Sequence, residues 1–565
     1  LILGSSCGCP EGIVGAREPA AGYGFARGRG PWVAAAGSEG NRCASAASGQ
    51  AYNSAGGSPQ AGAGGRPRPF STGGSEELKM SIQTMAGAEQ IRATPGGPAR
   101  QVDRPSGRLR GFHTGAREFD DAQVRVSGCL PGWLEGSLLL NGPAIWDFPE
   151  ARLQHWFDGL AMLHRLSIAP GGVRYRSRFV RSQAYLQAMA SGRPVRGEFG
   201  SPNPAGFWAR LRGVSPTDNP AVVMVRHGSR WIAQSETPVF TGFDADTLQT
   251  QRQVDLGAQA GIQLMAAHAM RLPDGSLVQV GVSMGRRCHY QVLRLPAGED
   301  RAVPVAAIET PRPGYLHGFA LAPGHVLVWD CALRANPLGL RFGADAYKDQ
   351  FRWQPESGSN LFAIDLHSGA VRRWSAPPLM AFHATQAWQE GQTLVVEIAT
   401  YDDGRVFDDL TLERRRAGLP LRGIPQLQRY RLQPGRSEAE VQPLGIGLEL
   451  QQVHPDAPGR RRADCCWGLA APADGSFGSH VLRVDSHTLD QRSWRRDRAL
   501  HLEPLFVPRP GAQADDDGVL LVPTLADDDE GGVIAVVDAS TLEPLAELQA
   551  PQVLPFGFHA AFSPG

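Results

Sequence analysis

FDADTL at 243–248, IDLHSG at 364–369, VDSHTL at 484–489 and VDASTL at 537–542 are four copies of one short pattern. Each reads as an apolar residue, Asp, two variable residues, Ser or Thr, then Leu or Gly. An Asp at that place can accept hydrogen bonds from the turn backbone two residues on, and the flanking apolar residues enter two strands, so each copy predicts an outer hairpin. The aspartates stand at 244, 365, 485 and 538, which makes the separations 121, 120 and 53 residues. Such spacings suit radial blades of about 40 to 60 residues in which some copies have diverged beyond sight. The expected fold is therefore all-β, a β-propeller.

The rest of the chain agrees with that reading. From about residue 116 onward it alternates short strands and turns, as in 136–141, 276–282 and 393–398, and no helical region of comparable length interrupts them. A content of 42% hydrophobic residues with 68 Gly and 44 Pro fits a large core joined by many tight turns. Lys plus Arg and Asp plus Glu both number 56, so no global charge recruits nucleic acid or anionic lipid. Apolar runs are short, the longest near 532–537, against the ~18 to 20 residues that a membrane-spanning helix needs. The eight cysteines include no CxxC pair, which excludes a zinc ribbon or disulfide framework and reads as a reducing compartment.

Residues 1–110 differ in kind. They are dominated by Gly, Ala, Ser, Pro and Arg, lack periodicity, and cannot bury enough surface to offset chain entropy, so disorder is expected. Residues 1–75 hold six Arg and three Glu with no Lys or Asp, a balance found in organellar transit peptides. The chain begins with Leu1 and its first methionine is Met80, so a fragment or an incorrectly extended reading frame accounts for the same stretch. A plastid location is the expectation on the first reading and a cytoplasmic one on the second. Residues 111–565 form the propeller domain.

Four of the fifteen histidines, His268, His317, His383 and His559, sit at the edge of hydrophobic strand-forming runs. A lone histidine is more often a surface or satisfied core residue than a ligand. Side chains from different blades can, however, converge at a propeller axis. Spacing alone does not make these a site, since none forms an i, i+4 pair.

The segments NGPAIWDF (141–148) and QHWFDGLAMLHRLSI (154–168) resemble signatures of the carotenoid cleavage oxygenases, and RFVRS (178–182) follows in order. SETPVF (235–240), LHGFALAPGHVLVWD (316–330), LEPLFVPRPGAQADDDGVLL (502–521) and the ending LPFGFHAAF (554–562) are similar to further blocks of that family. Together they cover about 116–565. The resemblance implies a seven-bladed propeller with loops capping the top face over a central iron. It implies that His268, His317, His383 and His559 hold Fe(II), while Glu236 orients His317, Glu449 His383 and Glu503 His559, leaving His268 without a carboxylate. It further implies molecular oxygen as co-substrate, an apolar tunnel, and cleavage of one double bond of a carotenoid or apocarotenoid to two carbonyl products. A stilbene or retinoid substrate, cleaved or isomerised, and a non-catalytic binding propeller are the alternatives.

Some positions depart from the family pattern. Gly318 follows His317, Gln386 and Gln389 follow His383, and Leu160 and Ala161 replace an acidic–glycine pair. The first three are expected to shape the pocket and the last two to be blade packing. Cys465 and Cys466 read as buried spectators, the runs RRR at 414–416 and 460–462 as solvated faces, and DDDEGG at 527–532 as a turn without EF-hand spacing. Because carotenoids dissolve in bilayers, apolar loops at 202–211 and 335–342 are candidates for peripheral membrane contact.

Overall fold

The computed structural model describes residues 107–206, 208, 210 and 217–565, all of them in the unit Ala99–Gly565. The transit-peptide and reading-frame expectations fall on residues that lie outside the described ones. The last four residues of the stretch expected to be disordered are structured, because Gly107–Phe112 form a 3-10 helix whose Phe112 is buried.

Short antiparallel strands make up most of the described chain, in sheets arranged as a propeller. Five sheets stand separately, over residues 223–255, 264–310, 320–376, 380–443 and 448–494, and a two-stranded ribbon joins Leu333–Ala335 to Phe351–Trp353. The remaining ten strands form one continuous sheet rather than two further separate ones. This corrects the expected count of seven discrete blades. The reason lies in Phe119–Gly128, which pairs with Gly172–Phe179 on one edge and Pro544–Gln549 on the other and so fuses the first and last groups of strands.

The same sheet closes the ring. His559–Pro564, the final strand, pairs with Gly136–Ile145, placing His559 opposite Asn141. The end of the chain is thus held to its beginning by a backbone ladder, and no inner edge is left open at that point.

The four repeats are four equivalent hairpins joining outer strands. In each, the Asp carboxylate accepts backbone N–H groups two and three residues on: 3.1 and 2.8 Å at Asp244, 3.0 and 2.7 Å at Asp365, 2.9 and 2.8 Å at Asp485, 3.0 and 2.8 Å at Asp538. The sixth position takes a left-handed backbone, with φ of 58° at Leu248, 72° at Gly369, 65° at Leu489 and 62° at Leu542. Glycine suits that conformation, and leucine is strained there. Leu248 and Leu542 are nonetheless buried, so the apolar area they bury offsets the strain. Between sheets the core is apolar and aromatic. Trp467 stacks on Phe506 with centroids 4.4 Å apart, and its indole N–H reaches the Ala539 carbonyl at 2.9 Å.

Other expectations resolve within this frame. Leu160 and Ala161 are buried in a strand, as blade packing requires. Cys465 and Cys466 are buried free thiols, and burial pushes the Cys465 thiol up to about 12. The DDDEGG turn spends Asp527 on Arg108 and Arg498 and Asp529 on Arg496. The run 414–416 is not a solvated face. Arg415 is 2% exposed, and Arg416 turns inward to Asp147 at 2.7 Å, because the short helix Leu412–Arg416 packs against the 3-10 helix.

The turn aspartates titrate below the ordinary 3.8. The backbone N–H of Thr247, Ser368 or Thr488 is the leading cause at the first three; at Asp538 burial pushes upward and bonds from Thr541 and Ser540 outweigh it. A depressed folded-state value contributes stability above the unfolded value, lost as pH falls through the folded one. Asp538→Ala is expected to cost about 1 kcal/mol at neutral pH and to weaken the loss of stability below about pH 4, as read by urea unfolding across that range.

Candidate metal centre

Each of the four histidines comes from a different part of the ring, and local irregularity aims it inward. His268 lies in the bend between Leu264–Met265 and Met270–Arg271, where the Ala267 N–H donates to the His317 carbonyl at 2.7 Å. His317 precedes Ala320–Ala322. A Cβ on the next residue, Gly318, would meet the Phe382 carbonyl at 2.7 Å, so only glycine lets these two segments approach so closely. His383 sits in Met380–Glu390 where the register with Thr393–Tyr401 shifts twice, between Ala381 and Ala384 and again before Gln386. Such bulges re-aim a side chain. His559 opens the closing strand.

These turns bring one ring nitrogen from each histidine to within 4.8 Å of the others. His268 lies 4.4 Å from His559, 5.1 Å from His383 and 5.3 Å from His317, centroid to centroid. Burial, and then the neighbouring imidazoles, hold His268 and His317 well below the usual histidine range. Both are therefore neutral and keep a free lone pair.

Three carboxylates stand behind three of the rings. His317 Nδ1 is 2.7 Å from Glu236, His383 Nδ1 2.7 Å from Glu449, and His559 Nδ1 2.8 Å from Glu503. In a neutral ring with Nδ1–H donating to the carboxylate, Nε2 is the nitrogen left bare. No carboxylate faces His268 among the described residues. His268 Nε2 and His383 Nε2 are buried without a hydrogen-bond partner there, which is the condition of an atom waiting for a Lewis acid. Glu449 reaches His383 because the register breaks between it and Gln452, with Leu450 at φ 52°.

Sequence reading missed the groups that hold these carboxylates. Tyr315 and Tyr347 donate to Glu236, and burial pushes its carboxyl up to about 8 even though both hydroxyls act to lower it. Tyr401 donates to Glu449 at 3.0 Å; Gln452 and the Ala560 N–H each donate to Glu503 at 2.8 Å. Tyr315, two residues before His317, carried a period-2 signal; Tyr347 and Gln452 carried none.

Beside the histidines lies a cavity of about 90 Å3 with apolar walls, including Trp156, Phe157, Phe382, Phe477 and Phe558. Part of its wall, Trp156 and Phe157, belongs to the HWFDG segment. Asp158 accepts from the His155 N–H at 3.0 Å, the Gly200 N–H at 2.8 Å and the Ser201 hydroxyl at 2.6 Å, while His155 Nε2–H reaches the Phe407 carbonyl at 2.8 Å. Gln386 and Gln389, expected to shape the pocket, are absent from its lining. Gln386 instead bonds Glu397, Ser486 and the Ala463 N–H, tying one sheet to the next, and Gln389 is exposed. Three apart in strand Met380–Glu390, they point to opposite faces of the sheet, and both lie beyond the register shifts that aim His383.

Residues 112–564 match the family model described as retinal pigment epithelial membrane protein. The chain belongs to the carotenoid cleavage oxygenase family. It is 27% identical to the mitochondrial carotenoid-cleaving dioxygenase of Macaca fascicularis, over 78% of this chain and 92% of the relative. Carotenoid cleavage dioxygenase 8 homolog A, chloroplastic, of Oryza sativa subsp. japonica is 30% identical over 79% of this chain and 85% of its own. Among solved structures, the cobalt-substituted apocarotenoid oxygenase of Synechocystis superposes with a TM-score of 0.72 at 23% identity, over 81% of this chain and 98% of that one, which establishes the shared fold. This carotenoid cleavage oxygenase is a dioxygenase.

Phe382 packs on Phe157, Tyr315, Tyr401 and Phe407. Phe382→Ala is expected to lower stability by about 3 to 5 kcal/mol, seen as a fall in the denaturant midpoint with an unchanged slope.

Proposed function

We propose that the chain binds one Fe(II) through His268, His317, His383 and His559 and uses molecular oxygen to cleave a double bond of a carotenoid or apocarotenoid into two carbonyl products. The observation that carries this is the convergence of four imidazoles, two with orphaned buried nitrogens, beside an apolar aromatic cavity. All-nitrogen ligation by neutral rings suits a borderline divalent ion and, with four protein ligands, leaves positions for small molecules. The Synechocystis apocarotenoid oxygenase has a cobalt-substituted form, cobalt being another first-row ion.

Iron in this place would supply the electrons that activate oxygen. The chain's own residues do the remaining work. Glu236, Glu449 and Glu503 fix three rings with Nε2 inward and raise their basicity. Trp156, Phe157, Phe382 and Phe558 bind the polyene through buried area, at ~25 cal/mol per Å2, and exclude water from the reacting carbons. Adding both atoms of O2 across a C=C bond to give two carbonyls moves no proton, so the site requires no acid or base. The tyrosines accordingly donate to carboxylates rather than into the cavity. About 90 Å3 holds only a short section of a long chain, so the substrate must thread through with its ends in other parts of the protein.

The proposed plastid location has counterparts among the relatives, where the rice protein is named chloroplastic, but the macaque one is named mitochondrial. Among the described residues no helix is long and apolar enough to cross a membrane. Peripheral contact remains our proposal. In the helix Pro337–Phe342, Leu338 is 71% exposed and Phe342 38%, and an Asn203 N–H to Ala344 carbonyl bond of 3.0 Å ties this segment to the other candidate loop. Residues 207, 209 and 211 of that loop lie outside the described ones.

Purified protein is expected to hold one iron per chain, to lose it in His268→Ala, and to bind it roughly 10- to 100-fold more weakly in Glu449→Gln, as measured by elemental analysis and metal competition. Under 18O2 both products should carry label. Unlabelled products, or isomers of the substrate, would sink the cleavage reading. Leu338→Ser with Phe342→Ser should reduce co-sedimentation with neutral liposomes several-fold while leaving turnover of detergent-dispersed substrate intact; unchanged sedimentation refutes the membrane contact.

A further inference from the structure

Phe477 separates two spaces. On its inner side is the apolar cavity by the histidines. On its outer side is a cleft of about 880 Å3 whose wall carries Arg108, Arg415, Arg495, Arg496 and Arg498 against Asp497 and Asp527. Ser476 and Phe477 belong to both linings. From Phe477 a run of rings leads inward, to Trp156 at 5.5 Å and on to Phe558 at 4.5 Å, the residue before His559.

Four of the five arginines already have carboxylate partners. Arg108 and Arg498 share Asp527 at 2.9 and 3.2 Å, Arg496 holds Asp529 at 2.9 Å, and Arg495 lies 4.0 Å from Asp497. Arg415 has none. Its Nε donates to the Asp409 carbonyl at 2.8 Å and its Nη2 to the Leu419 carbonyl at 2.6 Å, while the Asp409 carboxylate is taken by Arg422 at 2.7 Å and Arg414 at 3.3 Å. Nη1 makes no hydrogen bond among the described residues. The guanidinium carbon sits 5.1 Å from the centre of the Phe477 ring.

Arg415 is a 2% exposed residue whose guanidinium touches no carboxylate and feels only the Asp409 charge that Arg414 and Arg422 already engage; at the rim of a net positive cleft it is placed to receive an anion. Burial lowers its pKa to about 10, so it stays cationic at neutral pH. Its planar fork favours a carboxylate over a hydroxyl or an aldehyde. We propose that the cleft seats the carboxylate of an acid-ended polyene, paired with Arg415, while the chain passes Phe477 into the cavity beside the histidines. This rests on the oxygenase reading and narrows its substrate class to apocarotenoids that carry an acid terminus. Anchoring the end would also select the scissile bond, because the distance from Arg415 to the histidines then decides which double bond arrives there.

The test measures binding alone, on iron-free full-length chain, so it stands or falls separately from turnover. The probe is parinaric acid, a fluorescent conjugated tetraenoic acid, compared with its methyl ester at low ionic strength. The acid is expected to bind at least tenfold more tightly than the ester. Arg415→Gln should abolish that preference. Arg495→Gln, at an exposed position with no risk to folding, should weaken the acid two- to threefold and leave the ester unchanged. Acetate, which has the charge but no chain, should fail to displace the probe at equal concentration. Equal affinity of acid and ester for the unmodified chain overturns the proposal, as does an acid preference that neither substitution moves. Displacement by acetate would reduce the cleft to a general anion site and overturn it too.

Discussion

Four imidazoles, two buried and two half-buried, whose ring nitrogens lie within 4.8 Å of one another place lone pair against lone pair, with burial keeping at least two of them uncharged. Left to themselves, such groups would turn apart or take up water. Here they cannot. Three are locked from behind by carboxylates at 2.7 to 2.8 Å, and each carboxylate is held in turn by a tyrosine hydroxyl, a glutamine amide or a backbone N–H. The ring of sheets supplies the stiffness that this arrangement demands, since each ligand enters from a separate sheet braced by antiparallel ladders.

Regular strands would not suffice. A pleated strand aims side chains perpendicular to its sheet, whereas the axis of a propeller lies off the inner edge of every sheet. Departures from regularity therefore accompany the histidines and glutamates: the double register shift around His383, the break after Glu449 with Leu450 in a left-handed conformation, and the close passage at Gly318 that permits no Cβ. The outer rim shows the complementary economy. There one hairpin design, an aspartate capping its own turn, recurs four times and carries a strained leucine in three of them, buried at Leu248 and Leu542 and half-buried at Leu489.

Polarity is partitioned as sharply as geometry. The cavity beside the histidines is walled by aromatic rings and contains no charged group free to react, in keeping with a reaction that moves no proton. Charge gathers instead outside Phe477, where arginines outnumber their carboxylate partners. Arg415, part of a run that looks like a solvated face in sequence, is one of the most deeply buried cations among the described residues. Its burial follows from the packing of Leu412–Arg416 against Gly107–Phe112, a contact between segments some 300 residues apart that local composition does not encode.

Much of this was legible in the sequence. The repeated turn motif and the alternation of short strands determined an all-β propeller, because a capped hairpin and a period of two are local properties written in neighbouring residues. Motif order picked out His268, His317, His383 and His559 with Glu236, Glu449 and Glu503. What only the tertiary structure decided was whatever depends on closure of the ring: the fusion of the first and last strands into one ten-stranded sheet through Phe119–Gly128, the meeting of four histidines spread over almost 300 residues, the tyrosines and Gln452 that hold the carboxylates, and the placing of Gln386 and Gln389 away from the cavity. Strand register sets which way each side chain points, and register is fixed by pairing with partners distant in sequence, so no local reading reaches it.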